Sequence, residues 1–289
     1  MSRIQATYIG CMAILLWALL ALFTSFSAPI PPFQLTALSF GIGTTVSILW
    51  AIKSGTITRI FNVRPAPLIL GTLGLFGYHA LYFAALRLAP EAEAGLIAYL
   101  WPLLIVLMSG LLPDEKLRFL HVFGAVISFA GTALLLSGKG LAFESGNVWG
   151  YIFAFLCAFT WSSYSVLARK WSDTPTESVI LFCALTALLS TGAHFAFEDT
   201  VIPTKTVPWL AVIGLGIGPV GAAFYTWDIG VKHGDFQLLG VLSYAAPLLS
   251  TLVLLATGIA KPTIAILGAA VLITLGAGIA ALGSKSQKN

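Results

Sequence analysis

Ten apolar stretches of about 20 residues follow one another along the chain, with only short polar breaks between them. A helix of that length rises about 30 Å, which matches the thickness of the hydrocarbon layer of a membrane. Only 9% of the 289 residues are charged, against about 25% in soluble domains. The chain therefore lacks the polar surface that a soluble fold needs, and an all-α, polytopic membrane protein is predicted.

The expected helices lie between charged or proline-rich breaks, which set their boundaries. They are Thr7–Ser27, Phe33–Ile52, Pro67–Leu88, Glu91–Leu112, Leu117–Ser137, Asn147–Lys170, Thr176–Phe197, Thr206–Val231, Asp235–Thr257 and Pro262–Leu282. The first stretch is longer than the apolar core of a signal peptide and is expected to remain as a helix. The connections are too short for a separate soluble domain of any size.

The basic residues are distributed unequally between the two sides of these helices. If the N-terminus is cytoplasmic, only Arg87, Lys139, Lys205 and Lys261 of the 15 Lys and Arg residues fall outside. Cytoplasmic connections are enriched in Lys and Arg, so both termini are predicted to be cytoplasmic. The net charge of +4 is explained by this topology and does not predict a nucleic-acid partner.

The two halves of the chain resemble each other when the sequence is shifted by 145 residues. Residues that coincide without a gap include Arg87 with Lys232, Gly95 with Gly240, Tyr99 with Tyr244, Pro102 with Pro247, and Gly138 with Gly283. Each half has five crossings, an odd number, so the second half must be inverted in the membrane. We therefore predict two repeats, residues 1–138 and 139–289, around a central cavity, as in secondary transporters that bind substrate between the halves.

Several short motifs add a family resemblance to this pattern. They are Trp17 in the first helix, Pro32-Phe33 at the start of the second, Trp161 in the sixth, the run Ala98-Tyr99-Leu100-Trp101-Pro102 and the run from Trp227 to Gly234. With ten helices as five plus five, the whole chain resembles the drug/metabolite transporter superfamily, and the two runs are similar to its aromatic amino acid exporters. The resemblance implies export of small zwitterionic metabolites, above all aromatic amino acids, across a bacterial inner membrane.

One position departs from the pattern of that superfamily. Many of its members have an arginine in the second helix where this chain has Ser39. That basic group often meets anionic parts of substrates, so its absence argues against a phosphorylated substrate.

Candidate binding residues are polar or aromatic side chains far from the helix ends. His79 is the only ionisable group near mid-depth other than tyrosine, and ionisable groups in hydrocarbon are costly and usually functional. Tyr78 and Tyr82 are four residues apart and share a helix face. The candidate substrate-binding residues are His79, Tyr82, Tyr99, Tyr78, Trp101, Trp17, Trp161, Ser243 and Tyr244. The alternative is that these aromatic side chains only pack against one another.

Pro102 and Pro247 occupy equivalent positions in the middle of the fourth and ninth helices. Each lacks a backbone N–H and frees the carbonyl four residues earlier, that of Ala98 or Ser243. We expect both helices to bend there. The freed carbonyls can accept from the ammonium of an amino acid, or the bends can serve packing alone.

The predicted helices have no charged residue at mid-depth, and this bears on whether transport is coupled to an ion. No Asp, Glu, Lys or Arg lies near mid-depth, so we expect a facilitator without obligatory ion coupling, in which neutral His79 is a hydrogen-bond partner. The alternatives are a drug or quaternary-cation exporter, which could be proton-coupled and use cation–π attraction, and a membrane enzyme or assembly factor.

No catalytic cluster, cofactor or metal site is predicted. Cys11, Cys157 and Cys183 lie inside predicted helices and are expected to be inert small hydrophobic residues. The G-x-G-x-x-G pattern at residues 216–221 has no surrounding βαβ unit, so we expect it to serve close helix packing. We therefore expect a monomeric transporter, not an enzyme, whose partners are the small-molecule substrate and the lipid bilayer.

Overall fold

The computed structural model describes residues 1–113, 115–137 and 141–285, without the side chain of Lys285. These residues form ten helices long and apolar enough to cross a membrane. They are α1 Arg3–Phe26, α2 Pro32–Lys53, α3 Pro65–Leu88, α4 Glu91–Ser109, α5 Phe119–Ser137, α6 Ser145–Lys170, α7 Thr176–Phe197, α8 Thr206–His233, α9 Phe236–Ala256 and α10 Ile264–Ser284. The predicted all-α class and number of crossings are confirmed. Gly138 and Lys139, which entered the repeat and topology predictions, lie outside the described residues.

Local capping explains where individual helices begin. The Ser2 hydroxyl accepts from the Gln5 N–H at 3.2 Å, and the Gln5 side chain accepts from the Ser2 N–H at 2.9 Å. This reciprocal cap starts α1 four residues before the predicted Thr7. Pro31 and Pro32 start α2, because proline suits the first turn of a helix. Asp235 caps α9 by accepting from the Leu238 N–H at 3.1 Å.

The principal helix pairs reveal an internal symmetry. Helix α1 packs with α8, α3 with α6, α2 with α7, and α5 with α10. This set of pairs is unchanged when each helix is exchanged with the one five places away, as a two-fold relation between the halves requires. The α5–α10 pair is especially close, since a Cβ on Gly124 would lie 2.5 Å from the Gly276 carbonyl oxygen. These contacts agree with the predicted repeat.

Helices α4 and α9 are each interrupted at equivalent places. Helix α4 breaks between Ala98 and Trp101, and α9 breaks between Leu242 and Ala245. Both breaks come just before the prolines at 102 and 247. The Ser243 carbonyl, however, accepts from the Ala246 N–H at 3.1 Å, so the prediction that Pro247 leaves it free is wrong.

Helices α3 and α8 each contain a wider, π-helical segment. These segments are Leu73–Gly77 in α3 and Gly216–Ala222 in α8. The 145-residue shift places the first segment on residues 218–222, inside the second. Such segments interrupt the regular hydrogen-bond ladder and often occur at functional sites. In this protein they lie just before the tyrosines of α3 and next to the aromatic side chains of α8.

Candidate functional site

Four tryptophans from four helices meet in the interior of the bundle, and we call them the tryptophan cluster. Trp17 comes from α1, Trp101 from α4, Trp161 from α6 and Trp227 from α8. The ring centroid of Trp17 lies 6.2 Å from Trp101, 5.7 Å from Trp161 and 5.2 Å from Trp227. The first two contacts are edge-to-face, an arrangement that is favourable between aromatic rings at such distances, and the third is tilted. Except for Trp17, which is half-buried, the members are buried.

Trp227 was not among the predicted site residues, although its run carried the family resemblance. The structure buries it fully, and its indole N–H donates to the Ser165 hydroxyl at 3.1 Å. The sequence places it near one end of α8, where aromatic residues usually belong to the membrane interface. Its packing against Trp17 and Trp101 could be known only from the fold.

Beside the cluster stand four half-buried polar rings, which we call the tyrosine–histidine wall: Tyr78, His79 and Tyr82 of α3, and Tyr99 of α4. Tyr78 and Tyr82 stack with centroids 6.2 Å apart, and Tyr78 lies 5.7 Å from Trp161. The tyrosines of the wall are close enough for Tyr78 and Tyr82 each to interact electrostatically with Tyr99. All four are partly accessible, whereas Trp161 beside them is buried.

His79 is held by its own helix. Its Nδ1 atom lies 2.7 Å from the Leu75 carbonyl oxygen, which belongs to the π-helical segment of α3. Its ring lies edge-on to Phe40 at 5.2 Å and to Tyr78 at 5.4 Å. The imidazole is therefore fixed in orientation while part of its surface stays accessible.

Trp17 makes a comparable contact with the second π-helical segment. Its indole N–H donates to the Pro219 carbonyl at 3.1 Å. Pro219 lies within Gly216–Ala222 of α8. The π-helical segment of each half therefore provides a carbonyl that is bonded by a ring at the site.

Ser243 and Tyr244 do not reach this site. Both are fully buried. The Ser243 hydroxyl donates to the Leu239 carbonyl at 2.8 Å, and the Tyr244 hydroxyl accepts from the Leu103 N–H at 3.1 Å. Tyr244 packs instead in a second core with side chains of α5 and α10. The repeat placed Tyr244 on Tyr99, but the surroundings of the two halves differ.

At the face of the bundle where α1 begins and α10 ends, charged side chains are linked into what we call the ion network. Its members are Arg3, Glu115, Arg169, Asp228, Lys232 and Asp235. Arg169 pairs with Glu115 and donates to the Val231, Lys232 and Gly234 carbonyls at 3.2, 2.6 and 3.3 Å. These contacts join α6 and α8 to the connection between α4 and α5.

Arg3 and Lys232 extend the ion network. Arg3 lies 3.8 Å from Glu115 and 3.7 Å from Asp235. Lys232 lies 2.7 Å from Asp228 and also donates to the Thr174 carbonyl. Asp228 lies near one end of α8, yet it is 1% exposed. Its burial is possible because Lys232 and the Thr176 hydroxyl satisfy it.

The opposite face is organised differently. The Glu198 carboxylate caps α2 by accepting from the Phe33 and Gln34 N–H groups at 2.9 and 3.0 Å. Arg87 lies 3.9 Å from Glu198, and its side chain is 55% exposed. A cavity of about 320 Å³ opens beside it, lined partly by Phe33 and Phe83. The equivalent residue in the other half, Lys232, is buried in the ion network, so the two faces are in different states.

No group of three His, Cys, Asp or Glu side chains arranged to hold a metal occurs within the described ranges. The three cysteines are free thiols, and Cys157 and Cys183 are buried. Cys157 lies next to Tyr78 of the wall.

Comparison with known proteins defines the class. The model of the EamA-like transporter family matches the chain twice, over residues 6–137 and 148–282. The chain therefore belongs to this family of transporters, part of the drug/metabolite transporter superfamily. It is a multi-pass membrane protein.

Two individual relatives and one solved structure match most of the chain. The chain is 54% identical over 285 residues to the aromatic amino acid exporter YddG of Ancylobacter novellus, covering 98% of this chain and 99% of the relative. It is 26% identical over 264 residues to the aromatic amino acid exporter YddG of Salmonella typhimurium, with 87% and 88% covered. A solved structure described as the crystal structure of a protein is 52% identical, covers 100% of both chains and superposes with a TM-score of 0.94.

Proposed function

We propose that this chain exports aromatic amino acids across a bacterial inner membrane. The observation that supports this best is the tryptophan cluster with the tyrosine–histidine wall beside it. The rings offer edge and stacking contacts to an aromatic side chain, while the phenol and imidazole groups offer hydrogen bonds to the amino and carboxyl groups. The 54% identity to an aromatic amino acid exporter supports the same substrate class.

The site lies between two halves, residues 1–138 and 139–289, which we propose to be inverted repeats. The two separate matches of the family model and the exchange symmetry of the helix pairs support this division. The binding residues in this proposal are the tryptophan cluster and the wall. Ser243 and Tyr244 are not included, because the Ser243 hydroxyl bonds the Leu239 carbonyl of its own helix and Tyr244 packs in the second core, away from the wall.

We propose further that both termini are cytoplasmic and that this conformation is closed to the cytoplasm. At the face of the termini, Arg3 of α1 pairs with Asp235 at the start of α9, and Arg169 of α6 bonds the Lys232 carbonyl of α8. The half-buried wall residues of α3 lie in the half of that helix that ends at Leu88, beyond buried Trp161 and Trp227. Substrate in this state would therefore meet the periplasm.

The absence of a mid-depth carboxylate supports a facilitator. The carboxylates within the ten spans are Glu91 and Glu93 at the start of α4, Glu177 at the start of α7 and paired Asp228 near the end of α8. Glu91 is near enough to interact with Tyr82 of the wall, but it is exposed and is the first residue of α4. No acidic side chain of the ten spans therefore lies at mid-depth, where it could bind a coupling ion together with the substrate.

Counterflow in proteoliposomes tests the proposal. Vesicles loaded with unlabelled phenylalanine should accumulate labelled phenylalanine transiently, and tryptophan and tyrosine should compete. Competition by tetraethylammonium but by none of the amino acids would support the quaternary-cation alternative. Absence of any counterflow from correctly inserted protein would overturn the transport of aromatic amino acids.

A further inference from the structure

The hydrogen bond of His79 fixes which of its ring nitrogens carries a proton. A carbonyl oxygen has only lone pairs, so Nδ1, at 2.7 Å from the Leu75 oxygen, must be the donor. In the neutral imidazole, Nε2 then has a lone pair and no hydrogen. Nε2 has no hydrogen-bond partner among the described residues, and the neighbouring rings of Phe40, Tyr78 and Phe83 are not acceptors or donors towards it.

The tyrosines of the wall have the opposite capacity. Each neutral phenol has one O–H that can donate. The Tyr82 and Tyr99 hydroxyls have no hydrogen-bond partner within the part of the chain that the structure describes, and Tyr78 lies next to the Cys157 thiol. Two free donors therefore stand beside one ring nitrogen that can only accept.

A zwitterionic amino acid has groups that match this division. Its ammonium can only donate, and its carboxylate can only accept. A carboxylate oxygen at His79 Nε2 would place two lone pairs against each other, whereas an ammonium there completes a hydrogen bond. The carboxylate is then left to the phenol donors.

We infer that His79 binds the amino group of the substrate through Nε2, while Tyr82 and Tyr99 bind its carboxylate and the tryptophan cluster contacts its side chain. The inference rests on the proposed export of aromatic amino acids and gives the substrate one orientation in the site. It makes His79 the residue that distinguishes an amino acid from the corresponding acid without an amino group.

Two analogues of phenylalanine test this orientation: 3-phenylpropanoate, which lacks the ammonium, and phenethylamine, which lacks the carboxylate. Each is tested as a competitor of labelled phenylalanine in counterflow. Replacing His79 by Leu removes the acceptor, and hydrogen bonds to charged groups correspond to about 10- to 100-fold in affinity. His79→Leu should therefore reduce the preference for phenylalanine over 3-phenylpropanoate by at least about tenfold and leave the preference over phenethylamine unchanged.

The reciprocal variant and a control sharpen the test. Tyr99→Phe removes a donor, so it should reduce the preference over phenethylamine and leave the preference over 3-phenylpropanoate. Phe83→Leu alters a ring 6.2 Å from His79 without changing a polar group, and it should leave both preferences unchanged. His79→Gln provides an amide oxygen as acceptor and should restore discrimination against 3-phenylpropanoate.

Equilibrium binding, followed by fluorescence of the tryptophan cluster in detergent, gives the same ratios for any variant that folds but does not transport. If His79→Leu instead loses discrimination against phenethylamine, or changes both preferences equally or neither, the orientation is wrong. In those cases counterflow of phenylalanine by the wild type would still support the proposed function. If the wild type neither binds nor transports phenylalanine, the proposed function itself fails.

Discussion

The exposure and depth of a single aromatic residue determine how much its removal should affect transport. Tyr99 is half-buried at the break in α4, beside Tyr82. Trp209 lies near the start of α8, is 37% exposed and donates only to the nearby Pro203 carbonyl. Tyr99→Ala should therefore lower the initial rate of phenylalanine counterflow about tenfold or more, because a hydrogen bond to a charged substrate group is lost. Trp209→Ala should leave the rate close to that of the wild type.

Folding of both variants is checked by size-exclusion chromatography in detergent before rates are compared. Equal losses of rate from two well-folded variants would contradict the assignment of Tyr99 to the site.

How far single residues could be predicted depends on how local their surroundings are. The helical spacing of Tyr78 and Tyr82 placed them on one face, and the structure stacks their rings. The repeat placed Tyr244 at the position of Tyr99, but the cores around α5 and α10 enclose Tyr244 completely. This difference comes from long-range packing, which the spacing of residues along one sequence does not reveal. The roles of the wall residues stay a prediction.

At the scale of helices, the sequence indicated the breaks that come from proline but not the others. The interruptions of α4 and α9 precede Pro102 and Pro247. Helix α1 is also interrupted, between Trp17 and Leu20, with no proline nearby. The π-helical segments were likewise not predicted, because one additional residue in a turn changes neither composition nor hydropathy.

Two glycines in the π-helical segment of α3 provide a matched pair for testing helix packing. A Cβ on Gly74 would lie 2.6 Å from the Tyr164 ring, whereas one on Gly77 would find Thr160 at 3.6 Å. Gly74→Ala should therefore destabilise the contact between α3 and α6 by about 1–3 kcal/mol, the usual cost of overpacking. Gly77→Ala should be tolerated. Thermal unfolding in detergent compares the two, and equal midpoints would contradict the close α3–α6 contact.

For the whole molecule, the number of crossings followed directly from apolar length, and the structure confirms it. Orientation still rests on the distribution of Lys and Arg. A reporter that is active only in the cytoplasm should work when fused to the C-terminus and should fail when inserted between Lys139 and Glu144. The reverse result would contradict both the orientation and the direction assigned to each helix.

Coupling is also a property of the whole molecule. Because the described spans have no acidic group at mid-depth, phenylalanine efflux from proteoliposomes should continue at equal pH on both sides and without sodium. A pH gradient imposed without a substrate gradient should produce no net accumulation. Accumulation that His79→Gln abolishes, while downhill flux persists, would identify His79 as a proton carrier and exclude a facilitator.

The ion network affects the substrate concentration at which the carrier becomes active. If the termini face is cytoplasmic as proposed, opening it would separate Arg169 from the buried Glu115 carboxylate. Separating a buried ion pair is costly, so few empty carriers would face the cytoplasm at any time. The apparent affinity on that side is reduced by the same fraction. Such an exporter would do little while its substrate is scarce and would become active as the substrate accumulates. It would export the excess of its substrate and leave in the cell the amount that protein synthesis needs.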